Sequence, residues 1–266
     1  MKKYKLGIIG VGVMGQAILH CATEKKLLQE KDVALFDVCP DSLTPYRTCN
    51  FCAKNAQEVI DCCEYVLVSI KPQHFDELAK NIKIETDTVI ISIMAGTPIS
   101  KIRNKTHSTF GIARIMPNTP CRIGYGMCAV CFDNVPDDKK DFIFKLFDTC
   151  GKTLEIDEKY FDTITSVSGS GPAYVYSFIN GMIKGGMGGG LTYEQSKFLT
   201  LQTFIGAMKM AENSTEPLGT LIDKVCSKGG TTIEAVKIFQ ENNLEQIIIS
   251  GMDACRKRSE ELSKNA

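Results

Sequence analysis

The stretch "GIIGVGVMGQA" places Gly10, Gly12 and Gly15 in a G-x-G-x-x-G order. It directly follows an apolar run, Lys5–Gly10, and opens a helical pattern with Met14, Ile18 and Cys21/Ala22 on one face. Each glycine has its own task. The first permits a tight turn, the second lets backbone approach a pyrophosphate, and the third lets helix and strand pack closely, with the helix N-terminus facing the anion. A second β-rich run, Asp32–Asp37, ends in an acid. A dinucleotide-binding unit puts an acid there for the adenosine ribose hydroxyls. That acid repels a 2′-phosphate and favours NAD(H); alternatively, Asp37 only caps the next turn. The choice between NADPH and NADH stays open.

The pattern continues as strand–helix alternation. Glu64–Lys71, Asp87–Met94, Ser108–Pro117 and Gly126–Phe132 read as strands, with helical segments at Asp41–Arg47, Asn55–Cys62 and Gln73–Asn81. Continuous apolar strands alternating with helices imply a mostly parallel sheet covered on both faces. From Glu158 onward no strand pattern remains. Helical periodicity runs over Glu158–Val167, Pro172–Gly186, Tyr193–Asn213, Pro217–Val225, Thr231–Glu241 and Leu244–Leu262, between glycine-rich breaks. The expected fold is therefore an α/β dinucleotide-binding domain, residues 1–157, followed by an all-α domain, residues 158–266. Several late helices are apolar over wide faces, more than so small a domain can cover alone, which points to a helical dimer interface.

Lys plus Arg and Asp plus Glu are both 31 in this 266-residue chain. Nothing in that balance calls for nucleic acid or an anionic membrane. No run is long and apolar enough to span a bilayer, and the N-terminus lacks the form of a signal peptide, so the expected location is cytoplasmic. Two of the twelve cysteines form Cys49/Cys52 and two form Cys128/Cys131. The second pair lies in a strand that sends its side chains to opposite faces, so reduced thiols acting as small apolar residues are expected rather than a metal site.

Further strands end in "SIKPQ", "SIMAG" and "RIMPNTP". Ligands of open α/β sheets gather at this carboxyl edge. Lys71 can meet cofactor phosphate or ribose there, or stand as a solvated lysine. Asn118, between two prolines, presents an amide in a fixed place, or belongs to a plain stiffened loop.

Together with "VSGSGPAYVY" and "CSKGGTTIEA", in this order and over nearly the whole chain, these motifs resemble pyrroline-5-carboxylate reductase. The resemblance implies reduction of Δ1-pyrroline-5-carboxylate to L-proline by NADPH or NADH, the last step of proline biosynthesis. It implies a homodimer woven from the C-terminal helices, often a pentamer of dimers, with the active site at the dimer interface. Its cofactor contacts are Gly10, Gly12, Val13, Met14, Gly15, Asp37, Asn55, Ile70, Lys71, Pro72, Met94, Ala95, Gly96 and Asn118. Gly229, Gly230 and Thr231 hold the substrate carboxylate, the Thr232 hydroxyl sits by the ring nitrogen as the catalytic group, and Glu158 lies near the substrate. Gly229-Gly230 before a helix suits this role, because freed N–H groups and the helix dipole attract an anion. Lys228 stands where the family most often has proline, and Lys224 where some members have asparagine. The competing expectations are a related β-hydroxyacid dehydrogenase or imine reductase, or a non-catalytic NAD(P)-sensing protein.

Overall fold

A computed structural model describes residues 2–84 and 87–264. It divides into two compact units. One runs up to Ser170 and takes in the residues from Cys255 onward; the other is Gly171–Ala254.

In the first unit, β1 (Tyr4–Ile9) leads into α1 (Val13–Glu24), β2 (Val33–Phe36), β3 (Phe51–Cys52), α2 (Ala56–Cys62) and β4 (Cys63–Val68). Then come α3 (Phe75–Lys80), β5 (Val89–Ser92), α4 (Ile99–Thr106), β6 (Ile112–Met116), β7 (Gly126–Asp133), α5 (Asp137–Asp148), β8 (Gly151–Glu155) and α6 (Phe161–Ile164). The eight strands form one sheet in the order β3-β2-β1-β4-β5-β6-β7-β8. The first six in that row are parallel; β7 runs against β6, and β8 follows β7. The central strands are apolar on both sides because helices cover both faces. Leu6, Ile8, Leu35, Leu67 and Ile91 go to one buried layer, and Ile9, Val66, Val68, Ile90 and Ile112 to the other. Cys128 and Cys131 of β7 fall in opposite layers, as period-two alternation requires.

Two expected helices differ in form. Asp41–Arg47 is a 3-10 helix over Pro40–Tyr46, because Pro45 lacks the N–H an α-helix needs. Glu158–Val167 breaks into a 3-10 turn, α6 and a π-helical turn, Thr165–Gly169, closed by the Ser170 amide on the Thr165 carbonyl at 2.8 Å. Gly169 fits there because a Cβ would press on the Met116 methyl.

In the second unit, α7 (Gly171–Gly188), α8 (Tyr193–Asn213), α9 (Leu218–Val225) and α10 (Thr231–Glu241) precede α11 (Leu244–Lys264), whose last turns belong to the first unit. Thr192 starts α8 with a capping box: its hydroxyl accepts the Gln195 amide while the Gln195 side chain accepts the Thr192 amide. Phe178 of α7 meets Phe204 and Phe239 edge to face. Among the described residues between Gly171 and Ala254, Ile183 is the one buried apolar side chain, while Phe198, Met210, Leu218 and Val225 are each more than 60 % exposed. No helix among the described residues is long and apolar enough to cross a membrane.

Candidate active site

The chain passes from β1 outward to β2 and β3, then returns to β4 on the other side of β1. This reversal opens a crevice at the carboxyl ends of β1 and β4. The glycine turn and the Ser69–Pro72 loop flank it. Ser69 donates its amide to the Ile9 carbonyl at 2.9 Å and its hydroxyl to the Gly10 carbonyl. Gly10 has φ +95°, and a side chain there would strike Ile70 and the Ser69 carbonyl carbon. Gly15 leaves no room for a Cβ against the Gly10 oxygen and Ser69 Oγ. Gly12 caps α1 and faces open space: nothing lies within 4 Å of where its Cβ would be. No side chain caps this helix end, so its amides are left for an anion. Val13 is exposed, and Met14 packs against the core behind the turn. The residues thus fit a pyrophosphate-bearing dinucleotide.

The other residues expected to meet the cofactor lie in successive loops on the same edge, after β2 to β6. Asp37 follows β2; its two carboxylate oxygens accept the Val11 amide at 2.7 Å and the Cys39 amide at 2.8 Å. The carboxylate therefore both caps its own turn and ties the glycine loop. Asn55 follows β3 and caps α2, accepting the Glu58 amide at 2.9 Å. Ile70, exposed Lys71 and Pro72 follow β4. Buried Met94, exposed Ala95 and buried Gly96 follow β5. Asn118 follows β6, but both ends of its amide are engaged within the protein. It donates to the Ser168 carbonyl at 3.0 Å and accepts the Met127 amide at 2.9 Å, joining the β6–β7 loop to the π-helical turn.

Glu158 has a similar internal task. Its Oε1 accepts the Ile99 amide at 2.7 Å, closing the start of α4, and the Arg114 guanidinium at 2.9 Å. Arg114 lies on β6, 6 % exposed, and stacks on the Phe161 ring at 4.7 Å. Sequence reasoning singled out neither Arg114 nor Ser69. A lone arginine inside the apolar run "GIARIMP" was the available sign, since a cation in a central strand needs a built partner.

The late loop belongs to the second unit. Gly229 has φ +72°, which only glycine adopts without strain. Gly230 donates to the Ser227 carbonyl at 2.9 Å, caps α10 with no side-chain hydrogen bond, and has no room for a Cβ beside Ser227 Oγ. Thr231 and half-buried Thr232 form the first turn of α10. Their end of the helix carries a partial positive charge and unmet amides. Lys224 pairs with Glu216, and Lys228 is exposed.

A glycine turn at a strand-order reversal, with five more loops aligned along the same edge, defines the nucleotide-binding half of an NAD(P)H-dependent oxidoreductase. A family model described as "NADP oxidoreductase coenzyme F420-dependent" matches residues 5–96, and one described as "Pyrroline-5-carboxylate reductase dimerisation" matches residues 158–262. Pyrroline-5-carboxylate reductases of Aquifex aeolicus and Escherichia coli are 31% and 32% identical, the first over 97% of both chains, the second over 98% of this chain and 99% of its own. The structure of Plasmodium falciparum pyrroline carboxylate reductase with NADP bound superposes with a TM-score of 0.89 at 30% identity, covering 99% of each chain. The chain belongs to the pyrroline-5-carboxylate reductase family. An imine reductase from Pseudomonas sp., at 16% identity and a TM-score of 0.60, shares the fold alone.

Proposed function

We propose that the protein reduces Δ1-pyrroline-5-carboxylate to L-proline with NADPH or NADH, as the last step of proline biosynthesis. The observation that carries this reading is a second anion-seeking backbone loop, Gly229–Thr232, separate from the glycine turn. A cofactor pyrophosphate needs one such loop; a small substrate with its own carboxylate needs another.

Gly10, Gly12, Val13, Met14 and Gly15 cradle the pyrophosphate, Asp37 and Asn55 flank the adenosine end, and Ile70, Lys71, Pro72, Met94, Ala95, Gly96 and Asn118 line the path toward the nicotinamide. Bound there, the cofactor supplies a hydride to the imine carbon. Gly229, Gly230 and the Thr231 amide hold the carboxylate through backbone donors and the α10 dipole. Thr232 Oγ1 sits at the ring nitrogen, where a hydroxyl orients the iminium and accepts or donates a hydrogen bond as the nitrogen changes from sp² to sp³. An iminium already protonated in solution needs no strong acid from the protein, so orientation supplies most of the rate. Glu158 supports this assembly through Arg114 and α4.

The functional division falls between residues 157 and 158. The exposed apolar faces of α7 to α11 bury against a second copy to form a homodimer, which assembles further as a pentamer of dimers in the cytoplasm. Absorbance assays with pyrroline-5-carboxylate and each cofactor test the activity; oxidation of neither NADH nor NADPH sinks it. Sedimentation at micromolar concentration tests the assembly, and a monomer there refutes the dimer.

A further inference from the structure

The last turns of α11 carry Cys255, Ser259, Leu262 and Ser263, spaced as one stripe of a helix. Three of the four are polar or weakly polar; Ser259 is buried at 7 % exposure, Cys255 and Ser263 are half-buried, and Leu262 keeps about half of its surface in solvent. Each side chain has a defined counterpart in the first unit. Ser259 Oγ donates to Asp162 Oδ1 at 2.6 Å, and Ser263 Oγ donates to the same oxygen at 3.2 Å. Cys255 Sγ donates to Ser170 Oγ at 3.3 Å. Leu262 lies over Gly96, its Cβ 3.4 Å from where a Gly96 Cβ would stand, with Ser263 N at 3.7 Å. The Met94–Gly96 loop therefore has helix backbone directly above it.

Hydroxyls gripping one carboxylate fix a helix in register and azimuth, which an apolar stripe does less sharply, because hydrogen bonds are directional and burial is not. A carboxylate acceptor also makes these the stronger kind of hydrogen bond. Asp162 sits one residue beyond Phe161, the ring on which Arg114 stacks, so the grip is anchored to the buried pair of β6.

We propose that the end of α11 is a strap that holds the Met94–Gly96 loop in its cofactor-binding shape, and that Asp162 is its positioning residue. This rests on the assignment of Met94, Ala95 and Gly96 to the cofactor. Asp162 touches neither cofactor nor substrate; it acts through Ser259, Ser263 and Leu262 on the loop backbone.

The test uses the full-length chain and NADPH as the probe, followed by fluorescence titration, with the KM for pyrroline-5-carboxylate measured alongside. Asp162→Ala and the double variant Ser259→Ala/Ser263→Ala each raise the Kd for NADPH by roughly fivefold or more, the usual lower range of coupling between sites. The KM for pyrroline-5-carboxylate stays within about twofold, because a positioning effect on one ligand's loop leaves uniform binding of the other intact. Asp162→Asn keeps an acceptor oxygen for the serine hydroxyls and recovers most of the NADPH affinity. A purely structural role lowers the melting temperature of Asp162→Ala and leaves the NADPH Kd of the folded protein unchanged, which overturns the proposal. Ala95→Asp, placed in the loop itself, separates the two ideas. If it weakens NADPH binding and the strap variants do not, the strap is refuted and the cofactor assignment stands; if it leaves the Kd unchanged, the assignment falls and the strap's role falls with it.

Discussion

The Asp37 carboxylate lies 2.7 Å from the Val11 amide, so the end of β2 holds the glycine turn from outside. With the Cys39 amide on its other oxygen, the side chain joins two loops of the nucleotide crevice. Asp37→Asn keeps one acceptor and removes the charge that repels a 2′-phosphate. Its ratio of NADPH to NADH efficiency rises by about tenfold, the equilibrium equivalent of ~1.4 kcal/mol. Asp37→Ala loses both amide bonds and raises KM for both cofactors. An unmoved NADPH/NADH ratio in Asp37→Asn means the carboxylate does not meet the ribose.

Glu158 and Arg114 make a second such test. Glu158→Ala strands a buried guanidinium. The expected loss is about 2 kcal/mol in urea unfolding, below the ~3–5 kcal/mol of a fully buried pair because a third of the Glu158 side chain remains exposed. Arg114→Met with Glu158→Leu regains most of it. An unchanged unfolding midpoint with a large rise in substrate KM would instead make Glu158 a direct substrate contact.

Thr232 is half-buried and makes no capping bond in α10, so Thr232→Ala lowers the melting temperature by no more than about 2 °C. It lowers kcat/KM by about one to two powers of ten, the effect of one positioned hydrogen bond. Gly229→Ala behaves differently. It strains a left-handed residue by ~1–2 kcal/mol and weakens binding of carboxylate inhibitors such as proline analogues. Equal kinetics for Thr232→Ala and the parent protein would remove the proposed role at nitrogen.

Burial pushes the Cys131 thiol up to about 12, with the Glu158 charge adding to it, and raises Cys63 and Cys150 as well. A group whose folded value lies above its unfolded value of 9.0 stabilises fully below that value and loses its contribution as pH climbs through the folded one. Melting temperature is therefore flat with respect to these thiols below pH ~9 and falls toward pH ~12. At pH 8 an aromatic disulfide reagent modifies exposed Cys39 and Cys49 first, while buried Cys21, Cys63, Cys121, Cys128, Cys131 and Cys150 react only on unfolding. Rapid native reaction of all twelve contradicts this packing.

The sequence conveyed much of this arrangement where local rules coincide with the fold. The glycine turn, the strands beginning at Lys5, Asp32 and Glu64, and α8 and α10 each carry an apolar pattern together with a terminal marker: a glycine, an acid, a threonine cap or a proline. β3 and β8 carried no such apolar pattern. β3 has two residues, and β8 offers "GKTLE", whose one large apolar side chain, Leu154, is half-exposed at the sheet edge. The π-helical turn was hidden because a change from four-residue to five-residue hydrogen bonding does not alter hydrophobic spacing. Asn118 and Glu158 could be marked as polar groups in set places, but a sequence does not say whether such a group faces a ligand or another part of its own chain. Asp162 was invisible, since its partners lie about a hundred residues away.

The near absence of buried apolar side chains between Gly171 and Ala254 bears on how the protein reaches its native state. A helical segment that covers so little of its own surface does not offset its loss of chain entropy alone. In the proposed dimer, that segment completes its folding only on encounter with another chain, whereas the sheet of the first unit closes within its own. Refolding then separates into a concentration-independent phase for nucleotide binding and a second-order phase for turnover, and dilution delays the second without touching the first.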